Sequence, residues 1–262
     1  MRNNPIGIFD SGVGGTSIWK EIIQLLPNEN TIYLADIKHA PYGERTPLGI
    51  QELSIKNAER LLKMNCKIIV VACNTATTNA ITQLRSKFTV PIIGIEPAIK
   101  PAALSSKNKA VGILATKGTL SSALFAETSS LYAQDIEVIE VIGTGIVELI
   151  ESGKLYSVEM RQLLIKCLEP MVDKNIDYLV LGCSHYPYLV PILKELLPES
   201  VSIIDSGKAV ARQTKSVLSK KEMLADINQN PSHKLYSNSH INVLEFLTQD
   251  ISTNKTVEYL NF

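Results

Sequence analysis

Ile69-Val70-Val71-Ala72-Cys73-Asn74-Thr75 and Leu179-Val180-Leu181-Gly182-Cys183-Ser184-His185 follow one pattern: three apolar residues, a small residue, a cysteine, then polar groups, at an offset of 110 positions. An earlier pair repeats the relationship. Ile6-Gly7-Ile8-Phe9 before Asp10-Ser11-Gly12 resembles Val111-Gly112-Ile113-Leu114 before Ala115-Thr116-Lys117, at an offset of 105. Two offsets that agree within five residues predict an internal duplication.

Around these segments, short β-branched runs alternate with helix-like stretches, the signature of βα units on a mainly parallel sheet. Strands are predicted near Ile6 to Phe9, Thr31 to Ala35, Lys67 to Ala72, Pro91 to Ile95, Ala110 to Ala115, Ile136 to Val141, Tyr178 to Gly182 and Val201 to Ile204. Several are apolar at consecutive positions, as when helices cover both sheet faces. The fold class is α/β: two similar three-layer domains with mainly parallel sheets, related by a pseudo-twofold around a central cleft. The first domain is placed at 1–96 and the second at 97–206. The remaining 207–262 contains a polar stretch, Asp226 to His233, a strand-like Lys234 to Tyr236, a helix-like Ile241 to Asp250, and Thr256 to Leu260. It is expected to pack back onto the first domain.

Composition narrows the class of function. The 262 residues carry 26 Lys plus Arg against 26 Asp plus Glu, so there is no electrostatic footprint for nucleic acid or an anionic membrane. Asp10 ends the first apolar run after four residues, too short for a signal-peptide core, and no later run approaches a membrane span. A cytoplasmic setting is expected, with reduced cysteines. The spacing of Cys66, Cys73, Cys167 and Cys183 fits no zinc pattern, so no structural metal is expected.

Cys167 falls on a helical apolar stripe with Met160, Leu163, Leu164, Leu168 and Met171, and Cys66 precedes a strand without implied polar partners; both read as core. Cys73 and Cys183 differ. Each ends a buried strand, where α/β sheets open their ligand crevice, and each precedes residues suited to a helix N-cap, Asn74-Thr75 and Ser184. The positive end of a helix would lower a thiol's pKa and make it a usable base. His185 lies two residues past Cys183, and Asp10 is placed to attend the other thiol.

Asp10-Ser11-Gly12-Val13-Gly14-Gly15 is a glycine-rich turn without the Gly-Lys-Ser/Thr ending of a nucleotide loop or the three-glycine dinucleotide spacing. Its backbone amides suit a carboxylate. His39-Ala40-Pro41-Tyr42-Gly43-Glu44-Arg45 reads as a binding loop or a surface connection, and Thr116-Lys117-Gly118-Thr119 offers hydroxyls and amides to an anion.

A thiolate facing a thiol can remove a proton from one side of an α-carbon and return one from the other, which is what inversion requires. The weakly acidic α-proton demands oriented amides and partial desolvation. No lysine in a cofactor-like setting forces pyridoxal phosphate on the reading.

Ile6 to Gly15, Pro41-Tyr42-Gly43, Val71-Ala72-Cys73-Asn74-Thr75-Ala76, Glu96-Pro97-Ala98 and Leu181-Gly182-Cys183-Ser184-His185-Tyr186-Pro187 together resemble the glutamate racemases, over about residues 6 to 207. The resemblance implies two α/β domains and a cytoplasmic enzyme needing no cofactor, which supplies D-glutamate for peptidoglycan and is often a homodimer. It implies that Cys73 takes the proton from D-glutamate and Cys183 from L-glutamate, with Asp10 and His185 assisting. Substrate contacts are expected from Asp10, Ser11, Pro41, Tyr42, Gly43, Asn74, Thr75, Thr116, Thr119, Ser184 and His185. Ser184 stands where the family often has Thr; both offer a hydroxyl. Aspartate or a related amino acid as substrate, an amino-acid-binding regulatory protein, and a thiol redox sensor are the alternatives.

Overall fold

The computed structural model describes residues 2–132, 135–251 and 254–262; Met1, Ala133, Gln134, Ser252 and Thr253 lie outside the described residues. Ten strands are described: β1 (Ile6–Asp10), β2 (Thr31–Ala35), β3 (Ile68–Val71), β4 (Ile92–Gly94), β5 (Ala110–Ala115), β6 (Glu137–Ile142), β7 (Tyr178–Gly182), β8 (Ser202–Ile204), β9 (His233–Ser237) and β10 (Lys255–Tyr259). They form two sheets, ordered β10-β9-β2-β1-β3-β4 and β6-β5-β7-β8. Every described pairing is parallel, with helices between successive strands.

The two sheets share a sequence of moves. In each, the chain lays down a strand, steps to one side, returns past the first strand and continues outward, giving β2-β1-β3-β4 and β6-β5-β7-β8. The direction reverses between β1 and β3 in one sheet and between β5 and β7 in the other. The helices after β1 and β3 leave on opposite faces there, opening a crevice at the strands' carboxyl ends. Asp10 ends β1, and Cys73 and Cys183 lie just beyond β3 and β7.

Burial explains why these segments are strands. Every residue of β1, β2, β3 and β5 is buried, as in strands covered on both faces, whereas β6, at a sheet edge, has no buried residue and exposes Glu137, Glu140 and Ile142. The helix Thr16–Leu25 sets Ile18, Trp19, Ile22 and Ile23 on one buried face. Helix Pro47–Lys63 begins with Pro47 after Thr46, whose hydroxyl accepts from Gly49 N at 3.2 Å.

Past β8 the chain returns to the first sheet. β9 pairs with β2, Thr31 opposite His233 and Ala35 opposite Ser237, and β10 pairs with β9. A buried ion pair fastens the segment between: Lys67 Nζ lies 2.5 Å from Glu29 Oε2 and donates to the carbonyls of Arg2 and Met223, while Glu29 Oε1 accepts from Ala225 N at 2.8 Å. Among the described residues no helix is long and apolar enough to cross a membrane.

Candidate active site

Where the two sheets' crevices face one another they form a narrow pocket lined by both thiols. The first half supplies Ser11, Pro41, Tyr42, Gly43, Cys73, Asn74 and Thr75; the second supplies Thr116, Cys183, Ser184 and His185, together with Val147. Asp10 and Thr119 stand directly behind this wall. Thr75 Oγ1 lies 2.8 Å from Thr116 Oγ1 and 3.3 Å from Thr119 Oγ1, so three hydroxyls cluster where the halves meet.

The glycine-rich turn does something different from the sequence expectation. Its amides do suit carboxylates, but the carboxylates are the protein's own. Gly15 N and Gly12 N donate to Asp10 Oδ2 at 2.8 and 3.4 Å, and Val13 N donates to Glu151 Oε1 at 2.7 Å. The glycines are needed for closeness as well: a Cβ on Gly12 would lie 1.9 Å from Glu151 Oε1, and one on Gly14 would lie 2.3 Å from His185 Nδ1. Across the cleft, the Ser184 hydroxyl donates to Asp10 Oδ1 at 3.3 Å. Burial raises the pKa of Asp10, against the opposing pull of His185 and of the Gly15 amide.

Cys73 is itself the N-cap of helix Asn74–Lys87, its Sγ accepting from Ala76 N at 3.4 Å, so Asn74 and Thr75 are the first residues inside the helix. Asp10 does not touch this thiol; Ser11 Oγ, 3.6 Å from Cys73 Sγ, does. The expected lowering of the Cys73 pKa is overturned. Burial pushes it up strongly and nearby Asp10 adds to that, outweighing the amide and hydroxyl bonds.

Cys183 is set differently. No α-helix starts at Ser184; a 3-10 turn, Tyr186–Leu189, precedes helix Val190–Leu196. Its polar partner is His185, whose Nδ1 lies 3.6 Å from the sulfur, while Nε2 lies 2.5 Å from Glu151 Oε1. Burial alone would lower the His185 pKa, but the bonds to Cys183 and Glu151 push it well above the usual histidine value.

Glu151 has no forewarning in the sequence. It ends helix Ile146–Glu151, whose Ile146, Val147, Leu149 and Ile150 are buried, and the helix opens on Gly145 at φ +87°. Nothing local separates it from Glu148; its partners Val13 and His185 are distant in sequence. Asp36, just past β2, was likewise missed, and its buried carboxylate holds the Tyr42 hydroxyl at 2.5 Å. Tyr42 therefore turns its hydroxyl away toward Asp36. Asn74 does the opposite: it lines the pocket almost fully buried, and neither its amide oxygen nor its nitrogen has a partner among the described residues. Cys66 and Cys167 are buried in the cores, and Cys66 is pushed up to about 12 by burial.

The model of the Asp/Glu/Hydantoin racemase family matches residues 6–214. A glutamate racemase of Ectopseudomonas mendocina is 49% identical over 222 residues, 84% of each chain. A crystal structure of a glutamate racemase isoform from Bacillus anthracis superposes with a TM-score of 0.89 at 30% identity, covering 100% of this chain and 99% of that one. The Escherichia coli glutamate racemase, solved with L-glutamate and the activator UDP-MurNAc-Ala, gives 0.87 at 33% identity over 98% of both chains. A match over most of the chain, reached by sequence and by structure, makes this protein a member of the Asp/Glu/hydantoin racemase family.

Proposed function

We propose that the protein interconverts L- and D-glutamate by a two-base reaction in which Cys73 and Cys183 act on opposite sides of the α-carbon. The observation that carries the reading is the convergence of two thiols, from equivalent strand ends of two like-ordered sheets, on one buried pocket. The relatives named for glutamate supply the substrate. Division of the chain at about residues 96 and 206 follows from the same duplication.

Cys73 removes the α-proton of D-glutamate while the Cys183 side delivers one to the other face; L-glutamate reverses the roles. The raised Cys73 pKa reflects burial first, with nearby Asp10 adding to it. The substrate's ammonium group brings a positive charge beside the thiol, favouring the thiolate when the reaction needs it. On the other side, His185 passes the proton of Cys183, held in orientation by Glu151. Asn74, with a whole amide unused, and the Thr75, Thr116 and Thr119 hydroxyls offer the polar contacts a dicarboxylate requires. In a cell this activity supplies D-glutamate for peptidoglycan and operates in the cytoplasm.

The test is α-hydrogen exchange in heavy water, followed by mass while optical rotation is recorded, with glutamate and aspartate run side by side. Exchange and decay of rotation with glutamate are expected. No exchange from either enantiomer of glutamate, or a requirement for added pyridoxal phosphate, overturns the reading; faster turnover of aspartate moves the substrate and keeps the mechanism.

A further inference from the structure

We infer that Asn238, from the segment beyond the family match, is a positioning residue that sets the Pro41-Tyr42-Gly43 wall of the pocket through Asp36. The inference rests on the assignment of that wall to substrate binding.

Asp36 carries the argument. Its carboxylate is 2% exposed and receives four hydrogen-bonding groups from three parts of the chain: the 39–42 loop, the helix bearing Asn57, and Asn238. His39 Nδ1 and Asn238 Nδ2 each lie 2.6 Å from Oδ1; the Tyr42 hydroxyl at 2.5 Å and Asn57 Nδ2 at 3.3 Å reach Oδ2. A carboxylate offers about four lone-pair positions, so the group is saturated and each donor fixes the geometry available to the others. The Tyr42 hydroxyl is held by this arrangement: it also receives Asn57 Nδ2 at 3.0 Å, while its ring, 1% exposed, packs beside the pocket among buried apolar side chains.

Asn238 is placed for the task by sheet pairing. β9 runs parallel to β2 with Ser237 opposite Ala35, so the next residue on each strand, Asn238 and Asp36, meet at the carboxyl edge where the pocket lies. Asn238 also accepts from Lys38 N at 2.9 Å through Oδ1, and its backbone N–H donates to Ala35 O at 3.4 Å. One side chain thus grips Asp36 and the start of the loop that leads to Pro41. The family match ends at residue 214 and the duplicated strand pattern ends at β8, yet a residue outside both completes the support of the substrate loop.

A double-mutant cycle tests this, with KM and kcat for glutamate measured in both directions and a melting temperature taken for each protein. Asn238→Ala and Tyr42→Phe should each raise KM about 5- to 20-fold with kcat changed less than about threefold, toward the lower end of the roughly 10- to 150-fold that one hydrogen bond to a charged group is worth, since the loss reaches the substrate through the loop. Because both act through Asp36, the double variant should match the worse single variant. Asn238→Ser, whose hydroxyl is too short to reach Asp36, should behave as Asn238→Ala and serves if that variant does not fold. Fold-changes that multiply overturn the inference, as does an unchanged KM in both Asn238 variants beside a raised one in Tyr42→Phe, or failure of both to fold. An unchanged KM in Tyr42→Phe removes the loop assignment itself, and the inference with it.

Discussion

Nε2 of His185 lies 2.5 Å from Oε1 of Glu151, and the same oxygen accepts from Val13 N at 2.7 Å, so one carboxylate from the second half orients the proton carrier and grips the first half's glycine-rich turn. Glu151→Gln should keep the shape but lose the charge. Turnover is expected to fall about 10- to 100-fold, the effect of misplacing a catalytic group. A kcat within twofold of wild type would exclude an orienting role.

The same contact has a signature in stability against pH. His185 in the folded protein is held above the usual value of about 6.5, so its ties to Cys183 and Glu151 add stability that is fully present below that pH. The increment is lost as pH rises through the folded value. The gap in melting temperature between wild type and Glu151→Gln should therefore be widest near pH 6 and narrow toward alkaline pH. A gap that widens with pH would reverse the assignment.

Cys73→Ser and Cys183→Ser should each lower racemisation by at least about 10²- to 10⁴-fold, the usual contribution of a positioned acid or base. Polarimetry with either enantiomer reads this. Wild-type rates in one variant would remove that thiol from the reaction.

Gly14→Ala places a Cβ where 2.3 Å separates it from His185 Nδ1, and His185 is buried with little room to yield. Activity should drop about 10²-fold, since a shift near 1 Å at a reacting group has that effect. Retained activity would show that the turn relaxes at no expense to the ring.

The buried pair of Lys67 and Glu29 joins four separated parts of the chain, its own two and those at Arg2 and at Met223 to Ala225. Lys67→Met leaves Glu29 unpaired and should destabilise by about 3–5 kcal/mol in denaturant titration. A loss under about 1 kcal/mol would mean that water reaches the carboxylate freely.

The fold was legible because it rests on local patterns: consecutive apolar residues in Ile69 to Ala72 and Leu179 to Gly182 announce covered strands, and duplication fixes their like placement. Both thiols were visible as strand-end residues. What stayed hidden depends on contacts between distant segments. Glu151 and Asp36 look like ordinary acids in sequence, and only folding sets them against His185 and Tyr42. The pKa shift of Cys73 runs opposite to the expected direction for a related reason: a helix start is local, whereas full burial and Asp10 arrive from elsewhere and outweigh it. The turn at Gly12 to Gly15 was recognised as a carboxylate seat, but its carboxylates come from Asp10 and from the opposite half.

The parallel docking of β9 on β2 has a consequence during synthesis. The hydrogen-bonding edge of β2 is made early, and its partner leaves the ribosome only about two hundred residues later, which is roughly 10–40 s at about 5–20 residues per second. Late in that interval a nascent chain bears both cysteines yet still carries an open strand edge, a site for nonproductive pairing that the last-made strands close.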